Sequence, residues 1–287
     1  MRTKKSFGIL LLFLCIINFT SCSDNEEIGV TSPLSFEKGY YEVPLIGKTR
    51  IDVRGGNRDY DISVENSSIL DVSVDLSSSI GAGTLVITPQ SKGETTITVK
   101  DNISNETTNL KIKVIDSYLV YLITESNHTA LSKGTIVYLV KNANKDCYFF
   151  RYNNSEKIDS APLSKGTYDF FVKIEHGIGN SSNDYAIPYL TLNYASNEEG
   201  NFTDTTIPKT PHHFRFELFD GITAVNTVIK MIQSYLGIDW EELTQQATKS
   251  NIGDMTPPLL KMTVDNTKFN VIGVFSTTTT IPKDILE

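Results

Sequence analysis

Short runs of alternating apolar and polar residues, separated by turn signals, constrain the fold of this chain most strongly. In one such run Leu110, Ile112 and Val114 alternate with polar neighbours. A period of two puts the apolar side chains on one face of a strand and the polar ones on the other. Similar runs fill residues 33–116, where no stretch has helical spacing. About seven short strands in this length predict an antiparallel β-sandwich.

Three stretches of this first region carry a family resemblance. They are NSSILDVSVD at 66–75, TLVITPQSKGETTITVKD at 84–101 and NLKIKVID at 109–116. They resemble the bacterial Ig-like family, group 2, which recurs in surface proteins as stalk or adhesion modules. The resemblance implies that residues 33–116 form an Ig-like domain that holds another module away from the membrane.

Residues 117–287 mix strand patterns with a helical pattern. The runs SYLVYLI, GTIVYLV, CYFFRY and TYDFFVKI are rich in β-branched and aromatic residues, and LLKMTV and FNVIGVFST follow later. Between them apolar residues fall at helical spacing, at Val225, Val228, Ile229, Ile232, Tyr235 and Leu236. Asp220 is a candidate N-cap of this helix and Gly237 a stop, and Asp239 is placed to cap a second helix. The pattern predicts an α+β domain with an antiparallel sheet and a helix pair packed on one side.

The first residues have the layout of a secretory signal. A short cationic start is followed by apolar sequence from Phe7 to Phe19. This apolar run is shorter than the roughly 20 residues that a membrane-spanning helix needs. Thr20, Ser21 and Cys22 then resemble the bacterial lipoprotein signal. The resemblance implies a signal peptide at 1–21, lipidation of Cys22 and a tether at 22–32.

The residues after Cys22 carry a second resemblance. Asp24, Glu26 and Glu27 are similar to the export signal of Bacteroidetes lipoproteins, which directs them to the outer face of the outer membrane. This resemblance implies an outer-membrane location, with the protein facing the cell exterior and held to the membrane by its lipid.

The net charge of the chain argues against a nucleic-acid partner. The chain has 26 Lys and Arg against 34 Asp and Glu, and its formal charge is −8. An acidic chain lacks the basic footprint of a nucleic-acid-binding protein, so we expect no nucleic-acid partner.

After loss of the signal and lipidation of Cys22, Cys147 is the remaining cysteine and has no disulfide partner. Its aromatic neighbours predict a buried, inert thiol.

Local catalytic motifs are missing from the sequence. It contains no HExxH, GxSxG, GxxxxGK[ST] or CxxC pattern, so no enzyme activity and no cofactor are predicted. The best polar cluster lies in a predicted strand, where His213, Arg215 and Glu217 share the face opposite Phe214. This face is a possible binding site, and its alternative is a solvated face with an ion pair. His212 and His213 point to opposite faces, which is a poor arrangement for a metal, so no metal site is predicted.

A second possible binding face is aromatic. Tyr148, Phe150 and Tyr152 would share one face of a strand. Exposed rings in such a row could stack on sugars, whereas aromatic rows in strands more often belong to a core.

The sequence therefore predicts a mainly β, non-enzymatic surface lipoprotein. Its Ig-like stalk would present residues 117–287, which would bind an extracellular glycan or protein. Two alternatives remain, a fimbrial-type structural subunit and an enzyme that acts on a surface polymer.

Overall fold

The computed structural model describes most of the chain after the predicted tether. The described residues are 32–77, 81–152, 157–176, 184–197, 199–204, 208–217, 230–247, 261–264, 270–277 and 279–286. They are mainly β, with fifteen strands and two helices in these ranges, which confirms the predicted class at this level.

The first seven described strands form two sheets that share a core. The strands are β1 (Tyr40–Pro44), β2 (Thr49–Asp52), β3 (Tyr60–Val64), β4 (Leu70–Asp75), β5 (Thr84–Pro89), β6 (Gly93–Asp101) and β7 (Thr107–Ile115). One sheet has the order β1-β7-β6-β3 and the other β2-β5-β4, with β1 parallel to β7 and the other pairs antiparallel. We call this unit the sandwich.

The alternation in β6 and β7 builds the middle of the sandwich. Ile97 pairs with Leu110 in register, and both side chains are fully buried. They pack in one cluster with Leu85 and Ile87 of the opposite sheet. Burial of side chains of this size contributes roughly 1.5–3 kcal/mol each, so the shared core holds the two sheets together.

The remaining eight described strands form a closed antiparallel barrel. They are β8 (Tyr118–Ser126), β9 (Thr135–Val140), β10 (Asp146–Arg151), β11 (Ser164–His176), β12 (Asp184–Ala195), β13 (Lys209–Glu217), β14 (Lys261–Val264) and β15 (Asn270–Ser276). Each strand pairs with its neighbour in sequence, and β15 pairs with β8 to close the circle. The predicted antiparallel sheet is therefore present, but it has no open edges.

Two helices lie between β13 and β14, namely α1 at residues 230–236 and α2 (Trp240–Ala247). Gly237 ends α1 with φ of +69°, and the Asp239 carboxylate accepts the N–H groups of Glu241 and Glu242 at 2.9 and 3.2 Å. Both predicted boundaries are confirmed, because a left-handed glycine and an Asp N-cap satisfy the free ends of helices. The other predicted start, at Asp220, lies outside the described residues.

The helices contribute to the barrel interior instead of covering one side of an open sheet. Ile232, Leu236 and Trp240 belong to the same buried cluster as the inward-facing residues of the strands. Among the latter are Tyr121, Phe149, Tyr194 and Phe214. The predicted packing on one side is therefore wrong, because the sheet closes into a barrel and the apolar side chains of the helices join its interior cluster.

Cys147 lies in this interior and is fully buried. Burial raises the pKa of its thiol. Its predicted burial is confirmed, and a raised pKa disfavours the reactive thiolate. Neither helix in the described part of the chain has the length and apolar character that a membrane span requires.

The residues at 279–286, which we call the 279–286 segment, cover part of the outer barrel surface. Ile281 and Leu286 pack with Tyr118, Tyr138 and Phe150 in a cluster outside the barrel. Tyr138 Oη donates a hydrogen bond to the carbonyl oxygen of Thr280 at 2.9 Å. The Ile281 N–H donates to Tyr118 Oη at 3.1 Å. The outer surface of β8, β9 and β10 is therefore a second core.

Candidate functional site

β13 separates its side chains as the alternation predicts. Phe214 is fully buried in the barrel interior, and its neighbours His213 and Arg215 lie on the outer surface. Glu217 ends the strand, and its side chain lies outside those that the structure describes. The structure therefore brings two of the three predicted face residues together.

Arg215 is held by a carboxylate that the sequence analysis did not find. Its Nε lies 2.9 Å from Oε1 of Glu175, and its Nη2 lies 2.8 Å from Oε2. Tyr189 Oη donates to the same carboxylate at 2.7 Å. The hydrogen bond from Arg215 is the main cause of a lowered pKa of Glu175. Since Glu175 is 40 residues from Arg215 and on another strand, no local pattern could pair them.

Aromatic rings surround this ion pair on the outer surface of β11, β12 and β13. The rings of Phe171 and Tyr189 stack at 5.0 Å and 16°. Lys173 Nζ lies 4.6 Å from the centre of the Tyr189 ring. His213 Nδ1 is 2.9 Å from Thr191 Oγ1. We define these seven side chains as the β11–β13 face: Phe171, Lys173, Glu175, Tyr189, Thr191, His213 and Arg215.

The β11–β13 face combines an ion pair with an aromatic ring and an ammonium group. The guanidinium and the carboxylate neutralise each other, and Tyr189 is buried beneath its neighbours. The face presents to solvent the ammonium of Lys173 and the half-buried Phe171 ring, and Arg215 and Glu175 are each about a quarter exposed. An ammonium next to an aromatic ring offers a charge and a flat apolar surface to a partner.

His212 points the other way, into the barrel. Its ring stacks on Tyr194 at 4.4 Å, and its Nε2 lies 2.8 Å from Ser196 Oγ. The prediction that His212 and His213 lie on opposite faces is therefore confirmed. Within the described chain no group of three potential metal-ligating His, Cys, Asp or Glu side chains occurs.

His128 joins His212 from a distant loop. A side-chain carbon added at Gly200 would lie 2.9 Å from His128 Nε2 and 3.6 Å from His212 Cε1, so both rings line the same space. His128 Nδ1 accepts the N–H of Leu131 at 3.2 Å. Burial, followed by the repulsion of His128 and His213, lowers the pKa of His212 to about 4. Burial also lowers the pKa of His128, so both rings favour the neutral form.

The predicted aromatic face is not an exposed platform. Tyr148 and Phe150 do lie on the same side of β10, but their side chains are 7% and 0% exposed. The 279–286 segment packs in the same cluster and covers them, whereas Tyr152 is 37% exposed. The interpretation of Tyr148 and Phe150 as a sugar platform is therefore wrong, because a segment far along the chain turns this surface into core.

The described chain has cavities that are large enough for a ligand. One, of about 630 Å³, lies between the sandwich and the barrel, and we call it the junction cleft. The six side chains that give it its chemical character are Lys38, Tyr40, Tyr41, Glu42, Lys157 and Lys283. Another, of about 470 Å³, lies between β11 and the helices and includes Phe170, Phe171 and Asp239. The sequence analysis missed the junction cleft, because its lining comes from three separate parts of the chain.

Comparisons with known proteins do not identify a family for this chain. No family model matches this chain, and no curated protein matches it. A solved structure of domains 4 and 5 of the S-layer protein SbsC is similar at 17% identity and a TM-score of 0.26, over 30% of this chain and 52% of that chain. This chain thus spans about half the length of that structure. Domains 5–6 of the same protein are similar at 12% identity and a TM-score of 0.25, over 65% and 97% of the two chains. Likeness at these TM-scores carries no information on fold or function.

Proposed function

We propose that this protein is a lipoprotein of the outer membrane that faces the cell exterior. It is anchored through lipidated Cys22, its sandwich is a bacterial Ig-like stalk, and its barrel binds an extracellular ligand without catalysis. Its partners are the membrane, through the lipid, and an extracellular glycan or protein.

The observation that carries this proposal is the position of the two ends of the sandwich. The N–H of Leu34 donates to Glu106 Oε2 at 2.9 Å, beside the turn between β6 and β7. From this turn β7 runs nine residues to Ile115, which packs in the outer cluster of the barrel. A strand of nine residues is about 30 Å long. The described chain therefore enters the sandwich near Leu34 at one end and leaves it at Ile115 at the other end, as a stalk requires.

The strand order of the sandwich supports the Ig-like assignment. In Ig domains the second, fifth and fourth strands form part of one sheet, and the third, sixth and seventh form the other. The order β2-β5-β4 in one sheet and β3-β6-β7 in the other follows this arrangement, whereas β1 pairs with β7 and not with β2, where a constant-type Ig domain has its first strand. The fold itself is compatible with many functions, so the stalk role depends on the position of the tether.

Replacement of the lipidated cysteine tests the anchor. We expect the Cys22→Ala protein to lose palmitate labelling and to leave the membrane fraction. The matched control is Cys15→Ala, which removes a cysteine of the signal and should keep the label. Labelling that persists in Cys22→Ala would contradict the anchor.

Surface exposure and the absence of catalysis need separate measurements. Protease added to intact cells should degrade the wild-type protein, and protection from the protease would indicate a periplasmic protein. Incubation with purified surface polysaccharides should release no new reducing ends. Turnover that is lost in a His213→Ala variant would instead favour the alternative of an enzyme that acts on a surface polymer.

A further inference from the structure

The interior of the barrel changes from apolar to polar at one end. Further in, the side chains that face the interior belong to the apolar cluster, for example Val137, Phe149 and Phe214. At this end the strands β9 to β13 instead turn polar side chains inward, and we call these five the polar end: Thr135, Arg151, Ser164, Ser196 and His212. Ligand sites are frequent in the mouths of β-barrels.

Arg151 carries the permanent positive charge of the polar end. Its Nη2 donates to Ser132 Oγ at 2.9 Å and, at 3.4 Å each, to the carbonyl oxygen of Ala130 and to Thr135 Oγ1. All three acceptors are neutral, and the guanidinium forms no ion pair with a residue that the structure describes. Its Nε is buried and has no acceptor among these residues. A half-buried guanidinium without a carboxylate favours the binding of an anion.

Ser164 adds a second unsatisfied group beside Arg151. Phe149 pairs with Ser164 across β10 and β11, and Arg151 lies two residues further along β10. The two polar side chains are therefore diagonal neighbours on the inner surface, a spacing that a long side chain can bridge. Ser164 is 5% exposed, and its Oγ has no hydrogen-bond partner in the described ranges. Two buried polar groups without partners on one surface indicate a place where the protein binds a polar group.

The other titratable groups at this end do not neutralise Arg151. Burial lowers the pKa of His212 to about 4 and also lowers that of His128, so both rings favour the neutral form. The strand ends and loops around the polar end carry charges of both signs, on Glu125, Lys133, Lys157, Asp159, Glu199, Asp204 and Lys209. None of these carboxylates forms an ion pair with Arg151. The guanidinium is therefore the charge that a group entering the barrel end meets.

We propose that the polar end of the barrel binds the carboxylate of an acidic sugar at the end of a glycan. The planar guanidinium of Arg151 matches a carboxylate, and one positive charge suits one negative charge. The hydroxyl of Ser164 and its polar neighbours can both donate and accept hydrogen bonds, as sugar hydroxyls require. This inference rests on the proposed binding function and names its ligand class.

The dimensions and polarity of the site favour the end of a glycan over other anions. A barrel of eight strands has room for one small ligand at most, so a terminal sugar fits and the middle of a polymer does not. The five side chains of the polar end include no apolar one, whereas sites for peptides combine polar contacts with apolar pockets.

NMR titration of the full mature chain in detergent tests the proposal. The Arg151 Nε–H resonance, identified by its loss in Arg151→Lys, reports on the site directly. The probes are glucuronate, galacturonate and N-acetylneuraminate as acidic sugars, glucose and galactose as neutral ones, glucose 6-sulfate, and N-acetylglutamate. We expect at least one acidic sugar to shift this resonance saturably, with a dissociation constant at least 10-fold lower than that of either neutral sugar. Tighter binding of glucose 6-sulfate or of N-acetylglutamate than of every acidic sugar would overturn the proposed ligand.

Two variants locate the site. Arg151→Lys keeps the charge but loses the planar fork, and it should weaken binding of the acidic sugar by at least 10-fold. Ser164→Ala removes a hydroxyl that has no partner in the described chain, so it should weaken binding at least 3-fold and leave the melting temperature unchanged. The control is Arg54→Lys, at an exposed arginine of the sandwich, which should leave the affinity unchanged.

The outcomes separate this site from the proposed binding function. No shift with any acidic sugar, or an affinity that both variants leave unchanged, would overturn the proposal. A glycan that binds the whole chain without moving the Arg151 resonance would overturn this site alone and leave the protein a binding protein.

Discussion

Lys113, on the last strand of the sandwich, donates a hydrogen bond from Nζ to the carbonyl oxygen of Leu286, at 2.9 Å and across 173 residues of sequence. The 279–286 segment thus contacts the sandwich at Lys113 and Glu42, and the outer barrel surface at Tyr118 and Tyr138. It joins the two units and completes the junction cleft.

Deletion of residues 279–287 should destabilise the barrel. Ile281 and Leu286 bury their side chains on the outer cluster, and loss of two such side chains costs about 3–6 kcal/mol. Urea denaturation of the full and shortened chains measures the difference. Lys113→Ala is the control, since it removes one hydrogen bond and should cost about 1 kcal/mol. Equal stability of the full and shortened chains would show that the segment is not part of the core.

The stability of the protein should depend on pH between about 4 and 6.5. The pKa of His212 is lowered to about 4, so in this range the unfolded chain binds a proton that the folded chain does not. Stability is therefore fully present above pH 6.5 and falls as the pH decreases toward 4, by on the order of 2 kcal/mol because solvent screening of the partly exposed ring reduces the full effect of about 3 kcal/mol. The lowered pKa of His128 acts in the same direction.

Denaturant unfolding at several pH values measures this dependence. His212→Gln should flatten the curve in this range, whereas His176→Gln, at an exposed histidine, should keep its slope. An NMR titration of the His212 ring in the intact chain gives its pKa directly. A ring that titrates near 6.5 would contradict the prediction.

The Arg215–Glu175 pair should contribute measurably to stability. Both side chains are about a quarter exposed and form a bidentate contact, so a double-mutant cycle with alanine should give a coupling of about 1 kcal/mol. Arg54 and Glu37 are a matched pair that is about 60% exposed, and their coupling should stay below about 0.5 kcal/mol. Equal couplings for the two pairs would contradict the prediction that partial burial and bidentate geometry together strengthen the Arg215–Glu175 contact.

Residues 33–116 should fold in isolation. The apolar cluster of the sandwich lies between Leu34 and Val114, and its strands pair with one another. A fragment of this length should therefore melt cooperatively, with lower stability than in the whole chain because its contacts to the 279–286 segment are lost. Circular dichroism during heating tests this. An unfolded fragment beside a folded whole chain would mean that the two units depend on one another.

Several features of the fold could be predicted because their signals are local. The side-chain directions of His213 and Phe214 follow from the geometry of any extended strand. The end of α1 at Gly237 and the start of α2 at Asp239 follow from how residues of these types satisfy helix ends within one turn. Burial of Cys147 follows from the apolar sequence around it. Each of these signals acts over a few residues, and the sequence by itself determined them.

The tertiary structure alone decided which surfaces are covered and which side chains meet. Closure of the barrel depends on the pairing of β15 with β8. The position of His128 and His212 around the same space, and the Arg215–Glu175 contact, depend on the register that this closure and the neighbouring strands set. The alternation of residues predicts that Tyr148 and Phe150 share a face. It does not predict that the 279–286 segment lies over this face. A local period specifies the direction of a side chain relative to its own backbone, whereas its burial and its partners depend on segments that only the folded chain brings into contact.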